Sequence, residues 1–518
     1  MMKTIAFPGL LILLVLSGAF AAGAQNPASW CPVIQHDSLY SDTLKEERPI
    51  QVILPEKYQA GSSEKYDVLY VLDGDWNTKL GFDVTRFVES ANFIPHMMIV
   101  SIPNIIVPNG PNLRQRDYTP SHVGYQPESG GADRFLSFLK NELIPYINKK
   151  YPSTGKNTLW GTSLGGLVTV YAILADPSPF ESYIANDPSL WWDNGYVTKL
   201  AIQKKEALRG LRKTLWINGR DGQGLIEMGI APMDTILPPA GPGTALHWKL
   251  LAYPFETHLS EIFKGSYDGI KYSYTGYSAE DLVYHPMNGI LLKDKPVRIF
   301  PIKQPWSEIH YTTDGSEPTP QSPVIDSVLS LSGPANLIVR SFCYHPEFDR
   351  TFSGKFTVGE PLKPVASPRN TKPGGWHYGY YAGDWKSLPD FKKLKPVLSG
   401  VTKKSLETDT LAVPQTAACV LTGWLEVKED GYYMFVVKPH GATTWWLGDQ
   451  SLFDYDGVSG QDQYRSFTVP LVKGFYPVRL ETLLKKGERL PLCLYQPPGH
   501  ERDDPQPFDA ALLYSNER

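Results

Sequence analysis

Residues 159–170 read LWGTSLGGLVTV and place one serine among glycines, with apolar residues on both sides. The residues before the serine are typical of the end of a buried strand, and residues 164–174 form an apolar run long enough for a helix. Residues 161–165 between them have the form G-x-S-x-G. This motif presents a serine nucleophile on a sharp turn from strand to helix, so the stretch predicts that role for Ser163.

The glycines give this prediction a steric reason. A serine in a strained backbone conformation crowds the residues two before and two after it, which here are Gly161 and Gly165. The helix that follows would point its free N–H groups and the positive end of its dipole at the serine. The alternative is a helix start rich in glycine and serine without chemistry, because the motif also occurs by chance.

The composition is that of a globular protein with several domains. The chain has 518 residues, of which 42% are hydrophobic and 20% charged, and about two to four domains are expected. The net charge is −4 and no block of Lys or Arg occurs. This disfavours nucleic acid or an anionic membrane as a partner.

The N-terminus is predicted to be a signal peptide, residues 1–24. Lys3 supplies the positive charge, residues 10–16 the apolar core, and residues 22–24 (AGA) a small-residue cleavage site. A retained anchor is the alternative, but the apolar run is short, and no later segment is apolar for the ~18 residues that a membrane span needs. We therefore expect a secreted or periplasmic protein.

The cysteines predict neither a disulfide scaffold nor a metal site. The four residues lie far apart, and no Cys/His spacing resembles a zinc site, so we expect no metal and no cofactor. Cys419 and Cys493 fall in the same predicted domain, where they would form either a disulfide or two buried free thiols.

The first half of the chain predicts an α/β fold. Residues 66–72 (YDVLYVL) and 96–102 (HMMIVSI) are typical of buried parallel strands, and residues 132–149 carry apolar side chains at helical spacing. Residues 215–218 and 246–252 (LHWKLLA) predict two further strands. Strands that alternate with helices indicate a mostly parallel sheet whose active site lies at the carboxyl ends of the strands.

A serine nucleophile needs a base and an acid, which in this fold follow it in the order acid, then histidine. His258 comes directly after the predicted strand 246–252, and we predict it as the base. The acid is sought after the preceding strand, where Asp221 is the first choice and Glu227 and Asp234 are the alternatives. A loop carboxylate without a catalytic role is also typical of such a position.

Two backbone N–H groups are predicted to form the oxyanion hole. One belongs to Leu164, directly after the nucleophile, and the other to Asp75, in the loop that follows an early strand. Asp73 and Asp75 could instead suggest a metal pair, but no further carboxylate or histidine cluster is linked to them.

These residues carry a resemblance to the putative-esterase family of α/β hydrolases. The similar pieces are YVLDGD (70–75), RDYTP (116–120), GTSLGG (161–166), DPSLWW (187–192) and THLSEIFKGSYDGIKY (257–272). The family includes feruloyl and acetyl esterases, siderophore esterases, S-formylglutathione hydrolase and the antigen 85 acyltransferases. The resemblance covers the domain that we assign to residues 25–278. It implies Ser163 as nucleophile, His258 as base and the N–H of Asp75 as an oxyanion donor, whereas some members work with a Ser–His dyad.

Two further resemblances concern the strand-rich remainder. Residues 309–324 (IHYTTDGSEPTPQSPV) resemble the small Ig-like domain at the C-terminus of chitobiase-type hexosaminidases, which gives a predicted β-sandwich at 279–358. After a Pro- and Gly-rich linker at 359–375, residues 376–518 resemble a PA14 β-sandwich. Its calcium-binding members carry paired aspartates where this chain has Lys-Pro-His-Gly (438–441), which argues against calcium-mediated sugar binding. Trp445 and Trp446 would either stack on a sugar or belong to the core.

Three functions remain open. The first is a secreted serine esterase that removes feruloyl or acetyl groups from polysaccharide, with glycan contact through the PA14-like domain. The second is a siderophore esterase that opens a catecholate lactone and would be favoured by a basic pocket of Arg114, Arg116 and Arg220. The third is a catalytically silent glycan-binding protein. The residues predicted to bind substrate are Trp76, Arg116, Trp191 and Trp192.

Overall fold

The computed structural model describes residues 33–516 except 57, 241–242, 278–283, 302–307, 403–415, 440, 458–463 and 489. The predicted signal peptide and Cys31 lie outside the described residues. The described chain divides into two compact units. One contains the residues up to 85 together with 96–266, and the other contains residues 86–95 together with those from 267 onward.

The first unit is built on an eight-stranded sheet. Its strands are β1 Ile34–Ser41, β2 Glu46–Ile53, β3 Tyr66–Leu72, β4 Met97–Ile102, β5 Ser153–Thr162, β6 Ser182–Asn186, β7 Thr214–Arg220 and β8 His247–Tyr253. Their spatial order is β1-β2-β4-β3-β5-β6-β7-β8. β2 pairs antiparallel with β1 and β4, and every pair from β4 onward is parallel.

Helices connect these strands. They are α1 Gly74–Ser90, α2 Arg114–Tyr118, α3 Ala132–Phe138, α4 Ile144–Lys150, α5 Leu164–Ala175, α6 Trp192–Arg209, α7 Gln223–Glu227, α8 Met233–Ile236 and α9 Glu261–Ser273. A π-helical turn, Leu139–Leu143, joins α3 to α4, so the predicted helix 132–149 is continuous. Among the described residues, no helix is both long and apolar enough to cross a membrane.

Burial explains why the central strands form. Every residue of β3, β4 and β6 is buried, as parallel strands covered on both faces require. The apolar side chains of the predicted helix 132–149 are also buried, because their spacing directs them to one face of the helix. The α/β architecture predicted for the first half of the chain is therefore present, and the carboxyl ends of β3, β5, β6, β7 and β8 share one edge of the sheet.

The second unit is rich in strands. They are β9 Tyr284–His285, β10 Asn288–Leu291, β11 Val297–Pro301, β12 Ile309–Thr312, β13 Leu329–Leu331, β14 Ala335–Ser341, β15 Arg350–Val358, β16 Thr371–Pro373, β17 His377–Ala382, β18 Leu398–Val401, β19 Ala417–Val427, β20 Gly431–Lys438, β21 Thr443–Leu447, β22 Gln450–Tyr455, β23 Arg465–Leu471, β24 Gly474–Leu484, β25 Leu492–Gln496, β26 Gln506–Pro507 and β27 Leu513–Asn516.

One sheet of this unit runs across the predicted domain boundary. Its order is β12-β14-β15-β10-β23-β20-β25-β26, and β10 pairs in parallel with both β15 and β23. Strands from the predicted Ig-like and PA14-like segments therefore share backbone hydrogen bonds. Within the predicted linker, β16 pairs with β27, so part of that segment belongs to a sheet. The separate sandwich domains remain a prediction.

The aromatic and cysteine residues of this unit are mostly structural. Trp445 is fully buried against Trp376, Phe435 and Phe508, whereas its neighbour Trp446 is 38% exposed. The core interpretation of the tryptophan pair therefore holds for Trp445 only. All three described cysteines, Cys343, Cys419 and Cys493, are buried free thiols. Burial raises the thiol pKa of Cys419 and of Cys493 far above the ordinary value, which makes both groups poorly reactive.

The requirement for glycine two residues before Ser163 can be tested by mutation. A Cβ at Gly161 would lie 2.2 Å from the carbonyl oxygen of Gly165, and backbone atoms cannot move aside without shifting the turn. We expect Gly161→Ala to lower the free energy of unfolding by about 2 kcal/mol, as overpacking does elsewhere. Urea denaturation measures this. Gly210→Ala is the matched control, because no atom lies within 4 Å of its added Cβ and its free energy should not fall.

Candidate active site

Ser163 occupies the turn between β5 and α5. Its φ is +58° and its ψ is −116°, a conformation in the left-handed half of the map that a serine adopts only when its surroundings impose it. The Ser163 N–H donates to the carbonyl of Asn186 at 3.0 Å, and its own carbonyl accepts from Ser189 at 3.0 Å and from Leu167 at 2.9 Å. The strained turn is thus tied to β6 on one side and to α5 on the other.

The Ser163 side chain is half-buried at the carboxyl edge of the sheet. Its Oγ lies 3.2 Å from the Oγ of Ser189, and among the described residues no hydrogen bond joins it to His258. Catalytic hydrogen bonds are often long before substrate binds and tighten in the complex. In the structure the predicted nucleophile therefore forms its side-chain hydrogen bond with Ser189.

His258 lies in the loop between β8 and α9, where the sequence predicted the base. Its Nδ1 lies 2.6 Å from the Oδ2 of Asp187, and the side chain is 37% exposed. A carboxylate oxygen accepts the hydrogen bond from Nδ1–H, and in the tautomer with its hydrogen on Nδ1 the Nε2 lone pair is free. That arrangement prepares Nε2 to accept a proton.

Asp187 directly follows β6 and is fully buried. Its φ of +37° turns the chain at the strand end, and its N–H donates to the carbonyl of Asn218 at 2.8 Å. The Oδ2 atom also accepts from the Nε of Arg220 at 3.0 Å. A buried carboxylate needs such partners, and Asp187 has one guanidinium and one imidazole.

The acid predicted from the sequence, Asp221, requires a correction. Asp221 is exposed at the end of β7, and the carboxylate that meets His258 is Asp187, one strand away. Of the two alternatives, the Glu227 carboxylate lies 3.6 Å from Arg220, and Asp234 is an exposed residue of α8. The error arose because β6 was not recognised. Its five residues, SYIAN, are a short buried strand directly before Asp187, and this was the available signal.

The predicted oxyanion donors lie at two helix starts. Leu164 opens α5 directly after Ser163, and Asp75 is the second residue of α1. The N–H groups of Trp76 and Asn77 donate to the Asp73 carbonyl, whereas the first N–H groups of a helix, which include that of Asp75, have no carbonyl partner within it. Both predicted donors therefore come from ends that attract negative charge.

Asp73 and Asp75 accept hydrogen bonds from the segment that follows β4. Asp73 accepts two hydrogen bonds from Arg114, at 2.5 and 2.8 Å, and one from the side chain of Asn104 at 2.8 Å. Asp75 accepts from the N–H of Asn104 at 3.0 Å. Among the described residues, no group of three His, Cys, Asp or Glu side chains is arranged to hold a metal.

The four predicted substrate contacts fall into two groups. Trp76 is 65% exposed and Trp191 45% exposed, and both lie at the carboxyl edge of the sheet. Trp192 is buried and donates to the carbonyl of Ser121 at 3.3 Å, so its role is largely structural. The Arg116 guanidinium donates hydrogen bonds to Glu46 and Asp117, so these carboxylates take the place of the substrate that was predicted as its partner. A serine, a histidine and a carboxylate are the groups that acyl transfer uses.

Comparisons with known proteins agree with this chemistry. Residues 41–224 match the family model described as "Putative esterase". The chain is 32% identical over 136 residues to the siderophore triacetylfusarinine C esterase of Aspergillus fumigatus, and the aligned part is 24% of this chain and 45% of the relative.

A bacterial relative gives a similar result. The ferri-bacillibactin esterase of Bacillus subtilis is 30% identical over 172 residues, 30% of this chain and 58% of the relative. An IroE-like serine hydrolase from Shewanella oneidensis is 30% identical, with 46% of this chain and 79% of that chain covered at a TM-score of 0.40. The chain thus spans about half the length of these two curated relatives.

Mutation can distinguish the roles of Asp187 and Asp221. Asp187→Asn keeps the shape of the side chain but removes the charge and lets His258 adopt the wrong tautomer, so we expect kcat on an ester substrate to fall by about 10³- to 10⁴-fold. Asp221→Asn alters an exposed loop carboxylate and should change kcat by less than about twofold. Equal losses in the two variants, or a larger loss in Asp221→Asn, would contradict the pairing described above.

Proposed function

We propose that the protein is a serine carboxylic-ester hydrolase in which Ser163 is the nucleophile, His258 the general base and Asp187 the orienting acid. The observation that carries this proposal is the 2.6 Å contact between His258 Nδ1 and Asp187 Oδ2, at the sheet edge that holds the strained Ser163 turn. The match of residues 41–224 to an esterase family supports the same reaction.

The reaction has two halves. Ser163 Oγ attacks the ester carbonyl carbon while His258 Nε2 takes the hydroxyl proton, and the N–H groups of Leu164 and Asp75 hold the oxyanion. The tetrahedral intermediate collapses, the C–O bond to the alcohol breaks, and His258 returns the proton to the departing alcohol. Water then attacks the acyl-enzyme through the same base, which releases a carboxylic acid and free Ser163.

Asp187 acts on His258 in both halves. When Nε2 gains its proton, the imidazolium forms beside a buried carboxylate that stabilises the new positive charge. Arg220 also donates to Asp187, which gives the buried carboxylate a second partner. The arrangement explains why a fully buried acid, rather than an exposed one, suits this role.

An apolar rim at the carboxyl edge supports a bulky acyl group as substrate. The rim consists of large side chains exposed by 45% to 100%, which are Trp76, Tyr125, Trp191, Phe255 and Leu259. Phe255 and Leu259 flank His258 in sequence, and Tyr125 lies near Trp192, whose backbone N–H donates to the Ser189 carbonyl. Exposed apolar patches of this kind are typical of ligand-binding surfaces. An aromatic acyl group would cover the rim, whereas an acetyl group would leave it in water.

The charges near the site favour a neutral aromatic ester, such as a feruloyl ester of polysaccharide. Each of the three arginines considered for a basic pocket already forms an ion pair. Arg114 is bound to Asp73, Arg116 to Glu46 and Asp117, and Arg220 to Asp187. Recruiting Arg114 or Arg220 for an anionic ligand would take the paired guanidinium away from a buried carboxylate, which is costly.

A siderophore ester is the second candidate substrate. The observation in its favour is that one relative that matches this chain is named a siderophore esterase and another a ferri-bacillibactin esterase. The apolar rim would suit an aromatic siderophore as well as a feruloyl group. Two further parts of the proposed function rest on the sequence. Export of the protein rests on the predicted signal peptide, and glycan contact through the second unit rests on the PA14 resemblance.

Hydrolysis of a small substrate panel tests the proposal. The panel contains p-nitrophenyl acetate, methyl ferulate, acetylated xylan and a catecholate triester, and Ser163→Ala should abolish release from each substrate that the wild type cleaves. We expect methyl ferulate or the triester to be preferred over the acetyl esters. A preference for acetylated xylan would contradict the aromatic acyl assignment, and equal release by Ser163→Ala would contradict the serine mechanism.

The rim can be tested separately with Trp191→Ala. This variant removes one of the five rim side chains and leaves Ser163, His258 and Asp187 unchanged, so KM for the aromatic ester should rise about tenfold, as the loss of one aromatic contact to the substrate implies. KM for p-nitrophenyl acetate should change by less than about twofold. Trp446→Ala is the control, because this exposed tryptophan belongs to the second unit. An equal change in KM for both substrates would contradict a rim that selects the acyl group.

A further inference from the structure

A second buried carboxyl group lies close to the Asp187–His258 pair. Glu261 opens α9, three residues after His258, and its side chain is fully buried. Its N–H donates to the carbonyl of Thr257 at 3.1 Å, which ties it to the His258 loop. The Oε2 atom accepts a hydrogen bond from the Nδ2 of Asn218, whose backbone carbonyl accepts the N–H of Asp187 at 2.8 Å. Glu261 is therefore two contacts away from the acid on one side and joined to the histidine loop on the other.

The start of α9 packs directly onto two amide side chains. A Cβ at Gly265 would lie 2.3 Å from the Oδ1 of Asn218 and 2.6 Å from the Oδ1 of Asn186, so only glycine lets the helix approach so closely. Asn186 Nδ2 also donates to the Oγ of Ser266 at 2.9 Å. Asn186, Asn218 and Glu261 form what we call the amide cluster. It lies at the ends of β6 and β7, directly before and beside Asp187.

Buried acceptor oxygens in the amide cluster and on Asp187 lack hydrogen-bond partners. Three buried oxygens have no hydrogen-bond partner among the described residues, namely Asn186 Oδ1, Asp187 Oδ1 and Glu261 Oε1. The hydrogen bonds that the two amide groups donate here go to other atoms, since Asn186 Nδ2 donates to Ser266 Oγ and Asn218 Nδ2 donates to Glu261 Oε2. If Glu261 were ionised, all three oxygens would remain acceptors. A proton on Glu261 turns one of these buried acceptors into a donor.

The charges lead to the same conclusion. The charged groups that face Glu261 are Asp187, Arg220 and Glu256, and the positive charge of Arg220 is already bound to Asp187. Glu256 is paired with Lys264. Burial, followed by the negative charge of Asp187, raises the pKa of Glu261 from 4.5 to about 9, although the hydrogen bond from Asn218 acts in the opposite direction.

We propose that Glu261 is a positioning residue that stays protonated, braces Asn218 beside Asp187, and leaves Asp187 as the one buried negative charge that faces His258. The proposal rests on the function proposed above, because the pair that it positions is the acid–base pair of that reaction. Glu261 does not touch the substrate. Its ionisation would place a second buried negative charge near Asp187.

The protonation of Glu261 is tested by stability, without any substrate. A group whose pKa is raised on folding binds a proton in the folded state that the unfolded state releases, so folded stability falls as pH rises between the two pKa values. Glu261→Gln is neutral at every pH and escapes this loss. We therefore expect the Tm of Glu261→Gln minus that of the wild type to increase steadily between about pH 5 and about pH 9. Glu227→Gln removes a half-exposed carboxylate that lies 3.6 Å from Arg220 and should show no such increase. A Tm difference that is constant over this range overturns the proposal.

The positioning role is tested by the pH profile of kcat/KM on the best substrate of the panel. In the wild type kcat/KM should fall as pH rises above about 9, whereas in Glu261→Gln it should stay level there. At pH 7 Glu261→Gln should keep kcat within about threefold of the wild type, and Glu261→Ala should lose more than about tenfold in kcat with a smaller change in KM. The same alkaline fall in both proteins overturns the positioning role even if the stability result holds. A wild type that cleaves nothing overturns the proposed function instead, while the Tm measurement still decides the protonation of Glu261.

Discussion

The left-handed turn at Ser163 is the constraint on which the site depends. A serine at φ +58° is held there by hydrogen bonds to the ends of β6 and α5, and glycine is needed two residues before it because a Cβ would meet the Gly165 carbonyl. The same turn places the Leu164 N–H and the Ser163 side chain on one side of the sheet edge. Local strain is thus balanced by the packing of the parallel strands on either side.

The sheet then brings the remaining groups to that edge. Because β5, β6, β7 and β8 are parallel, the residues that follow them meet at one end although they are up to 95 positions apart in the chain (163 to 258). Asp187 follows β6 and Arg220 ends β7, so the buried acid receives its cation from the neighbouring strand. His258 needs no strand of its own, since the loop after β8 and the start of α9 carry it to Asp187. The amide cluster fills the space beneath this contact.

Much of this arrangement could be predicted from the sequence, and the errors have physical causes. The strand–turn–helix around Ser163 and the position of His258 follow from hydrophobic runs and glycines, which are local signals. The acid was assigned to Asp221 because β6 is only five residues long, and a strand that short leaves little periodicity to detect. The arginines were misjudged for another reason. Whether Arg116 faces a ligand or Glu46 depends on partners 70 positions away, which no local pattern reveals. The pairing of β10 with β23 is equally non-local.

The central claim is that Ser163 is a nucleophile activated by His258 and Asp187, and covalent labelling tests it most directly. The purified protein would be treated with a fluorophosphonate and its intact mass and peptide map recorded over time. The account predicts a single adduct on Ser163 that forms at least about a hundredfold more slowly in Asp187→Asn and is absent in Ser163→Ala. No adduct on the wild type, or an adduct on another residue, would contradict it.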